Sequence, residues 1–245
     1  MANQYFVDTK FTTVEFSVEE PSYHHIFTVM RAQEGDKFEV IFSDDKVGLV
    51  EVVQGNQLKL IREIDRITEL PIEVTVAVGF PKADKLDFIV EKSTELGAAT
   101  IWAAPFDWSV VKWNSEKLAK KQEKLSKIAR GAAEQSRRLK IPSIELFERQ
   151  TDLIARFQDF DRILIAYEEA AKKGETSSFV DSLSQGPAKV LLIFGPEGGI
   201  SPKEISLFES GGAKKVGLGP RILRAETAPL YALSAISALL ELQKI

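Results

Sequence analysis

The 245-residue sequence contains no cysteine. That excludes a disulfide framework and any thiolate metal centre, and it agrees with a reducing cytoplasm. Only two histidines are present, His24 and His25, side by side. Neighbouring residues of a helix project to different sides, so the pair does not form a shared metal site. No other His, Asp and Glu grouping has ligand spacing, and no metal is expected. No apolar run approaches the roughly 20 residues that cross a bilayer. Met1 to Thr12 alternates polar and apolar residues, without the basic start and apolar centre of a secretory signal. The expectation is a soluble, cytoplasmic protein with no membrane partner.

Several catalytic signatures are also missing. The glycine-rich segment Gly195 to Gly199 is not followed by Gly-Lys-Ser/Thr, so it is not a phosphate loop. Gly217-Leu218-Gly219-Pro220-Arg221-Ile222 lacks the third glycine of the dinucleotide fingerprint. No serine sits in a nucleophile elbow. A nucleotide-phosphate hydrolase, which needs a phosphate loop and metal carboxylates, is therefore disfavoured.

What is present is a 44 % hydrophobic chain of net charge -4, ample for a packed core. The acidic balance leans against nucleic acid as a partner. Between Ser115 and Pro142, however, Lys117, Lys120, Lys121, Lys124, Lys127, Arg130, Arg137, Arg138 and Lys140 face only Glu116, Glu123 and Glu134. This stretch is either a solvated helix face or a surface that tracks phosphates.

The first third reads as strands at Gln4 to Val7, Thr12 to Phe16, Lys37 to Phe42, Val47 to Val53 and Gln57 to Ile64, with one helix at Pro21 to Met30. Short strands joined by tight turns predict a small barrel. A boundary falls near Thr68 to Pro71. From Ile72 on, strands alternate with helices: Ile72 to Val78, Thr100 to Ala104, Ser143 to Phe147, Arg162 to Ala166, Lys189 to Phe194 and Lys215 to Leu218 are strands. Lys85 to Leu96, Glu116 to Leu139 and Glu226 to Leu240 are helices, the last buried inside its domain or against another subunit. Ala171 to Ser178 is read as a flexible loop. This alternation predicts an α/β domain with a mainly parallel sheet.

The strand Lys189 to Ile193 runs into Phe194-Gly195-Pro196-Glu197-Gly198-Gly199 and then into a helix start, with Ser201 as N-cap, Pro202 at the first helical position and Glu204 three residues after the cap. A second strand-turn-helix follows at Val216 to Thr227. One glycine-rich turn alone is a plain tight turn. Two together, with Arg221, Arg224 and Glu226 beside them, point to one pocket in which exposed backbone groups read a ligand. Arg224 either stabilises an anion or pairs with Glu226.

Gly195-Pro196-Glu197-Gly198-Gly199 together with Leu218-Gly219-x-Arg221-Ile222-Leu223-Arg224-x-Glu226-Thr227-Ala228 resembles the signature of the ribosomal RNA small-subunit methyltransferase E family. Lys85 to Gly97, Ser109-Val110-Val111-Lys112-Trp113 and Ala133-Glu134-Gln135-Ser136-x-Arg138 match it as well. So do His25-Ile26, Val29-x-Arg31 and Gly35-Asp36. The resemblance runs in order over almost the whole chain. It implies a PUA-like, RNA-binding β-barrel over residues 1–69 and a SPOUT-type α/β domain with a trefoil knot over residues 70–245. It also implies a homodimer that uses S-adenosyl-L-methionine to methylate N3 of one uridine, expected to be U1498, in 16S ribosomal RNA or the small ribosomal subunit. The alternative is a non-catalytic RNA-binding assembly factor, for which a barrel and a basic helix suffice.

On the resemblance, the cofactor-binding positions are Gly195, Pro196, Glu197, Gly198, Leu218, Gly219, Ile222, Leu223 and Thr227. Arg224 and Glu226 are the catalytic candidates. Arg224 would stabilise the developing uracil anion, and a water or Glu226 would accept the N3 proton. The RNA-binding candidates are Arg31, Lys37, Lys82, Lys85, Lys112, Arg137 and Arg138. One position departs from the family pattern: Trp108 stands where an Arg usually precedes the Ser-Val-Val-Lys segment, so stacking by Trp108 or charge from Lys112 would have to replace it.

Overall fold

Strands with alternating apolar residues pair wherever that alternation gives them a face to bury. In the computed structural model, which describes residues 4–12, 14–167, 177–184 and 186–242, this produces two compact units. The first comprises Met1–Glu69 with Ala133–Lys140, and the second Leu70–Ala132 with Ile141–Ile245.

The first unit holds β1 (Gln4–Phe6), β2 (Glu15–Ser17), β3 (Lys37–Ile41), β4 (Val47–Gln54) and β5 (Gln57–Ile64), in the order β1-β3-β4-β5-β2. β1 runs parallel to β3 and the other pairs are antiparallel. Gly55, at φ 60°, closes the β4–β5 hairpin, where a two-residue loop requires the left-handed region. Phe38, Val40, Val50, Val52 and Leu58 form the core with Tyr5 and Phe16. Edge strands β1 and β2 do not pair with each other among the described residues, so the expected barrel is a half-barrel. The expected helix at Pro21 to Met30 is a π-helical turn, His24–Val29.

The second unit alternates β6 (Glu73–Gly79), α1 (Lys85–Glu95), β7 (Thr100–Ala104), α2 (Ser115–Gln135, whose last three residues group with the first unit), β8 (Ser143–Leu146) and α3 (Gln150–Ile154). It continues with β9 (Arg162–Ala166), α4 (Ser177–Ser184), β10 (Lys189–Phe194), α5 (Pro202–Ser210), β11 (Lys214–Val216) and α6 (Thr227–Ser237). The six strands lie in the order β11-β9-β10-β6-β7-β8, all parallel. Alternate residues of β10 feed opposite cores. Val190, Leu192 and Phe194 meet α1, α2, α4 and α6, whereas Leu191 and Ile193 meet α3 and α5. A sheet covered on both faces explains why β6 and β10 read as continuous apolar runs.

Several sequence boundaries move. The long helix expected to reach Leu139 stops at Gln135, and Arg137 adopts φ 60°. The chain leaves the helix there because Arg138 and the Leu139 N–H both bind the Glu69 carboxylate, the latter at 2.9 Å. The Gln4 amide also donates to the Arg138 carbonyl at 2.8 Å. Strand β11 ends at Val216, which leaves Leu218 in a turn. The last helix becomes a π-helical turn at Ala238–Leu242, and it buries one face, through Pro229, Ala232, Leu233 and Ile236. Of the loop expected at Ala171 to Ser178, residues 171–176 lie outside the described residues, and Ser177 and Ser178 open α4.

The start of α5 is fixed by a complete capping box. The Ser201 hydroxyl accepts from the Glu204 N–H at 3.2 Å, and the Glu204 carboxylate accepts from the Ser201 N–H at 2.8 Å. Glu204 is 2 % exposed and also accepts from the Asp107 N–H at 2.8 Å and the Gln150 side chain at 2.5 Å. The Ser201 hydroxyl donates to Asp107 at 2.7 Å. One buried carboxylate thus joins the helix start to the loop after β7. Replacing Glu204 by Ala leaves one buried and two partly buried donors without this acceptor, at a cost of about 1–3 kcal/mol for the buried one and less for each of the others. Urea unfolding of E204A should show a loss of about 3 kcal/mol.

Candidate functional site

Parallel α/β sheets offer ligands the crevice beyond the carboxyl ends of the strands, where the strand order reverses. Here the order reverses beside β6, the strand that neighbours β10 on one side and β7 on the other. At that edge a cavity of about 760 Å³ opens, lined by the turn after β10, the turn after β11 and the ends of β9 and α1. Its volume is within the range of small-molecule sites, roughly 300–1,000 Å³.

The first turn lies where it does because side chains are missing. Gly79 ends β6, and a Cβ there would collide with Pro196 and sit 3.1 Å from Phe106 Cγ. A Cβ on Gly195 would come within 2.8 Å of the Gly199 carbonyl carbon and 2.9 Å of Ile200 Cγ1. Gly199, at φ 83°, and Gly219, at φ 84°, occupy the left-handed region that glycine adopts without strain. The Gly199 N–H donates to the Pro196 carbonyl at 2.8 Å and closes the turn.

Trp108 sits over this turn. It is 47 % exposed, and a Cβ on Gly198 would lie 2.8 Å from Trp108 Cβ. Its neighbour Asp107 is tied to the capping box on both backbone and side chain, so the indole is placed at the cavity by a rigid loop.

Two carboxylates, one from each turn, meet one ammonium. Lys85 Nζ lies 3.0 Å from Glu197 Oε1 and 2.9 Å from Glu226 Oε2. Glu197 also accepts from the Lys82 N–H at 3.1 Å. The contacts to Glu226 and then Glu197 raise the Lys85 pKa above its ordinary value. Lys85 in turn holds the Glu226 carboxyl below the usual range, against burial. Burial pushes the Glu197 carboxyl up, but its own backbone N–H, Lys85 and the Lys82 N–H outweigh that and leave it lowered. Glu226 is thus an ionised partner of Lys85, which makes it a weak proton acceptor.

The sequence-derived residues distribute unevenly. Gly195, Pro196, Glu197, Gly198, Leu218, Gly219, Ile222 and Leu223 all line the cavity, as does Arg224. Thr227 begins α6 and donates its N–H to the Arg224 carbonyl at 2.9 Å, and neither it nor Glu226 is among the lining residues. Arg224 is not paired with Glu226. Among the described residues no ion pair holds its guanidinium, and its carbonyl is fixed by the first turn of α6.

Of the RNA-binding candidates, Arg31, Lys37 and Arg137 belong to the first unit and Lys82, Lys85 and Lys112 to the second. Arg138 is corrected. Its side chain is 3 % exposed and committed to Glu69, so it is not a surface cation. Lys85 is likewise committed, to Glu197 and Glu226. Much of the basic stretch is already engaged: Lys120 with Glu116 and Lys127 with Glu123 within α2, Lys124 with Asp87 of α1, and Lys121 over the Trp113 ring. Sequence reasoning missed Ala166 and Tyr167, which line the cavity beyond β9. The rule that ligands gather at strand ends was the available signal, since the strand itself was legible.

The family model for an RNA methyltransferase domain matches residues 68–237, and one for an RNA methyltransferase PUA domain matches residues 18–61. The chain is 42 % identical to ribosomal RNA small subunit methyltransferase E of Bacillus subtilis, over 98 % of this chain and 97 % of that protein. It is 33 % identical to the protein of the same name from Synechocystis, over 89 % of this chain and 71 % of the relative. Among solved structures, a putative methyltransferase from Legionella pneumophila in complex with bound SAM superposes with a TM-score of 0.81 at 27 % identity, covering 97 % of this chain and 98 % of that one. The fold, the order of the motifs and these matches agree: this chain belongs to the ribosomal RNA small subunit methyltransferase E family.

Proposed function

We propose that this protein transfers a methyl group from S-adenosylmethionine to N3 of one uridine, U1498, in 16S ribosomal RNA. The observation that carries the reading is the cavity between two backbone turns, with Arg224 on its wall. Its donor set fits such a cofactor. Closely approaching backbone at Gly195 and Gly219 suits an adenosine edge and ribose, and apolar Leu218, Ile222 and Leu223 suit the flat faces of a base. When bound, S-adenosylmethionine would supply an electrophilic methyl group on a sulfonium.

The chain's own residues then have to bind, orient and stabilise charge. Uracil N3 is nucleophilic only after losing its proton, which leaves negative charge on the neighbouring carbonyl oxygens. A guanidinium on the wall of the cavity can stabilise that charge by hydrogen bonds. Arg224 meets this need because, among the described residues, no ion pair holds its guanidinium, and the charge of nearby Glu226 is committed to Lys85. Glu226, being held as the partner of Lys85, leaves a water as the proton acceptor. Trp108 offers an aromatic face beside the cavity for a splayed-out base.

The same reading gives the first unit, with Arg31, Lys37 and Arg137, the task of holding RNA, assisted by Lys82 and Lys112 of the second. It includes residence in the cytoplasm, a trefoil knot in the α/β unit and a homodimer. These rest on family membership, and the exposed Tyr231 and Leu242 near the last helix are compatible with a partner there.

Replacing Arg224 by Ala should lower kcat by about 100- to 1,000-fold while the Kd for S-adenosylmethionine, measured by calorimetry, moves by less than about threefold. Equal losses in both would move Arg224 from chemistry to binding. Mass mapping of uridines in 16S ribosomal RNA should find one methyl group missing at one uridine in cells without the gene. Unchanged methylation would favour the non-catalytic assembly factor.

A further inference from the structure

Two glycine-rich turns from different parts of a chain do not keep a fixed spacing by themselves. Both carry a carboxylate toward the same point. Left alone, Glu197 and Glu226 would repel each other. Lys85 reverses the sign of that interaction by placing one ammonium within 3.0 Å of the first and 2.9 Å of the second.

The lysine has a rigid base. It opens α1, and the following Leu86, Ile89 and Val90 are buried in the core beneath the sheet. The Lys82 N–H, just before the helix, donates to Glu197 as well, so the carboxylate sits at the positive end of α1. The arrangement differs from the surface pairs on α2. Lys120–Glu116 and Lys127–Glu123 have side chains at least 70 % exposed and are worth little, whereas Glu226 is 17 % exposed and Lys85 32 %. Glu226 is also the N-cap of α6, two residues after Arg224. Fixing Glu226 therefore fixes the backbone that carries Arg224.

We propose that Lys85 is a positioning residue: its ammonium clamps the turn 195–199 to the turn 218–226 and so sets the width of the cavity, acting through Glu197 and Glu226 without touching RNA. The consequence for methyl transfer rests on the cofactor reading given above. The clamp itself does not. A lysine that instead contacts phosphate predicts different behaviour on substitution, and the two separate cleanly.

Hydrogen exchange on the cofactor-free protein tests the clamp. Lys85→Met should speed exchange about tenfold or more in peptides covering both turns and leave β6 and β10 unchanged. Lys85→Arg, long enough to reach both carboxylates, should restore rates to within about threefold of the native protein. Glu226→Gln gives a second route should the methionine variant fold poorly, and should loosen 218–226. Turns that exchange at the native rate in K85M, or in E226Q, overturn the proposal. In a second arm, K85M should weaken S-adenosylmethionine binding about tenfold or more by calorimetry and leave affinity for a 16S ribosomal RNA fragment within about twofold. Lost RNA affinity with unaltered turns assigns Lys85 to a phosphate contact and overturns the clamp. A native protein that does not bind S-adenosylmethionine sinks the cofactor reading, while the exchange arm still decides the clamp.

Discussion

The α/β unit is organised around a contact from which side chains are excluded. β6 ends in Gly79 so that Pro196 can lie against its backbone, and Gly195 has no Cβ so that the turn can fold onto Gly199 and Ile200. Close backbone approach exposes N–H and C=O groups that larger residues would cover. It also means that the turn's own contacts are few, and its position is set by what surrounds it: Trp108 above, the capping box of α5 behind, and Lys85 at the side.

Those supports are mostly electrostatic, and they work because they are partly buried. Glu204 gathers donors from three segments at the start of α5. Lys85 gathers two acceptors from two turns. In both cases one charged group faces several partners of complementary charge or polarity, the arrangement in which burial of charge is tolerated. The lysines of α2 are the contrast. They draw the eye in the sequence, yet the pairs of Lys120 with Glu116 and of Lys127 with Glu123 are local and exposed, and contribute little to the fold.

Most of the architecture was legible in the sequence because it follows from period. β6 and β10 are unbroken apolar runs, so they had to lie inside a covered sheet, and Ser201-Pro202-x-Glu204 specified a capped helix that the structure contains. Interactions over long sequence distances were not legible. Nothing local says that Ala133–Lys140 joins the first unit, because the helical pattern of α2 continues past Gln135 until Glu69 captures Arg138. The same blindness assigned Arg138 and Lys85 to RNA. A basic residue in a sequence carries no mark of the carboxylate that will neutralise it, and Glu69 lies 69 positions from Arg138. The two turns were legible as a pair, since glycine spacing and the flanking strands are local features. Tyr167 was not, because only the sheet brings the end of β9 beside them.

The most direct test of the account asks whether the side-chain-free turn is what holds the cofactor. Titration of RNA-free protein with S-adenosylmethionine, native and with Gly195→Val, compares an open cradle with one whose new side chain must occupy the space against Gly199 and Ile200. The account predicts saturable binding by the native protein and none detectable for the variant, with both showing the same far-UV circular dichroism. Equal affinity in the two proteins, or no binding by the native one, would contradict it.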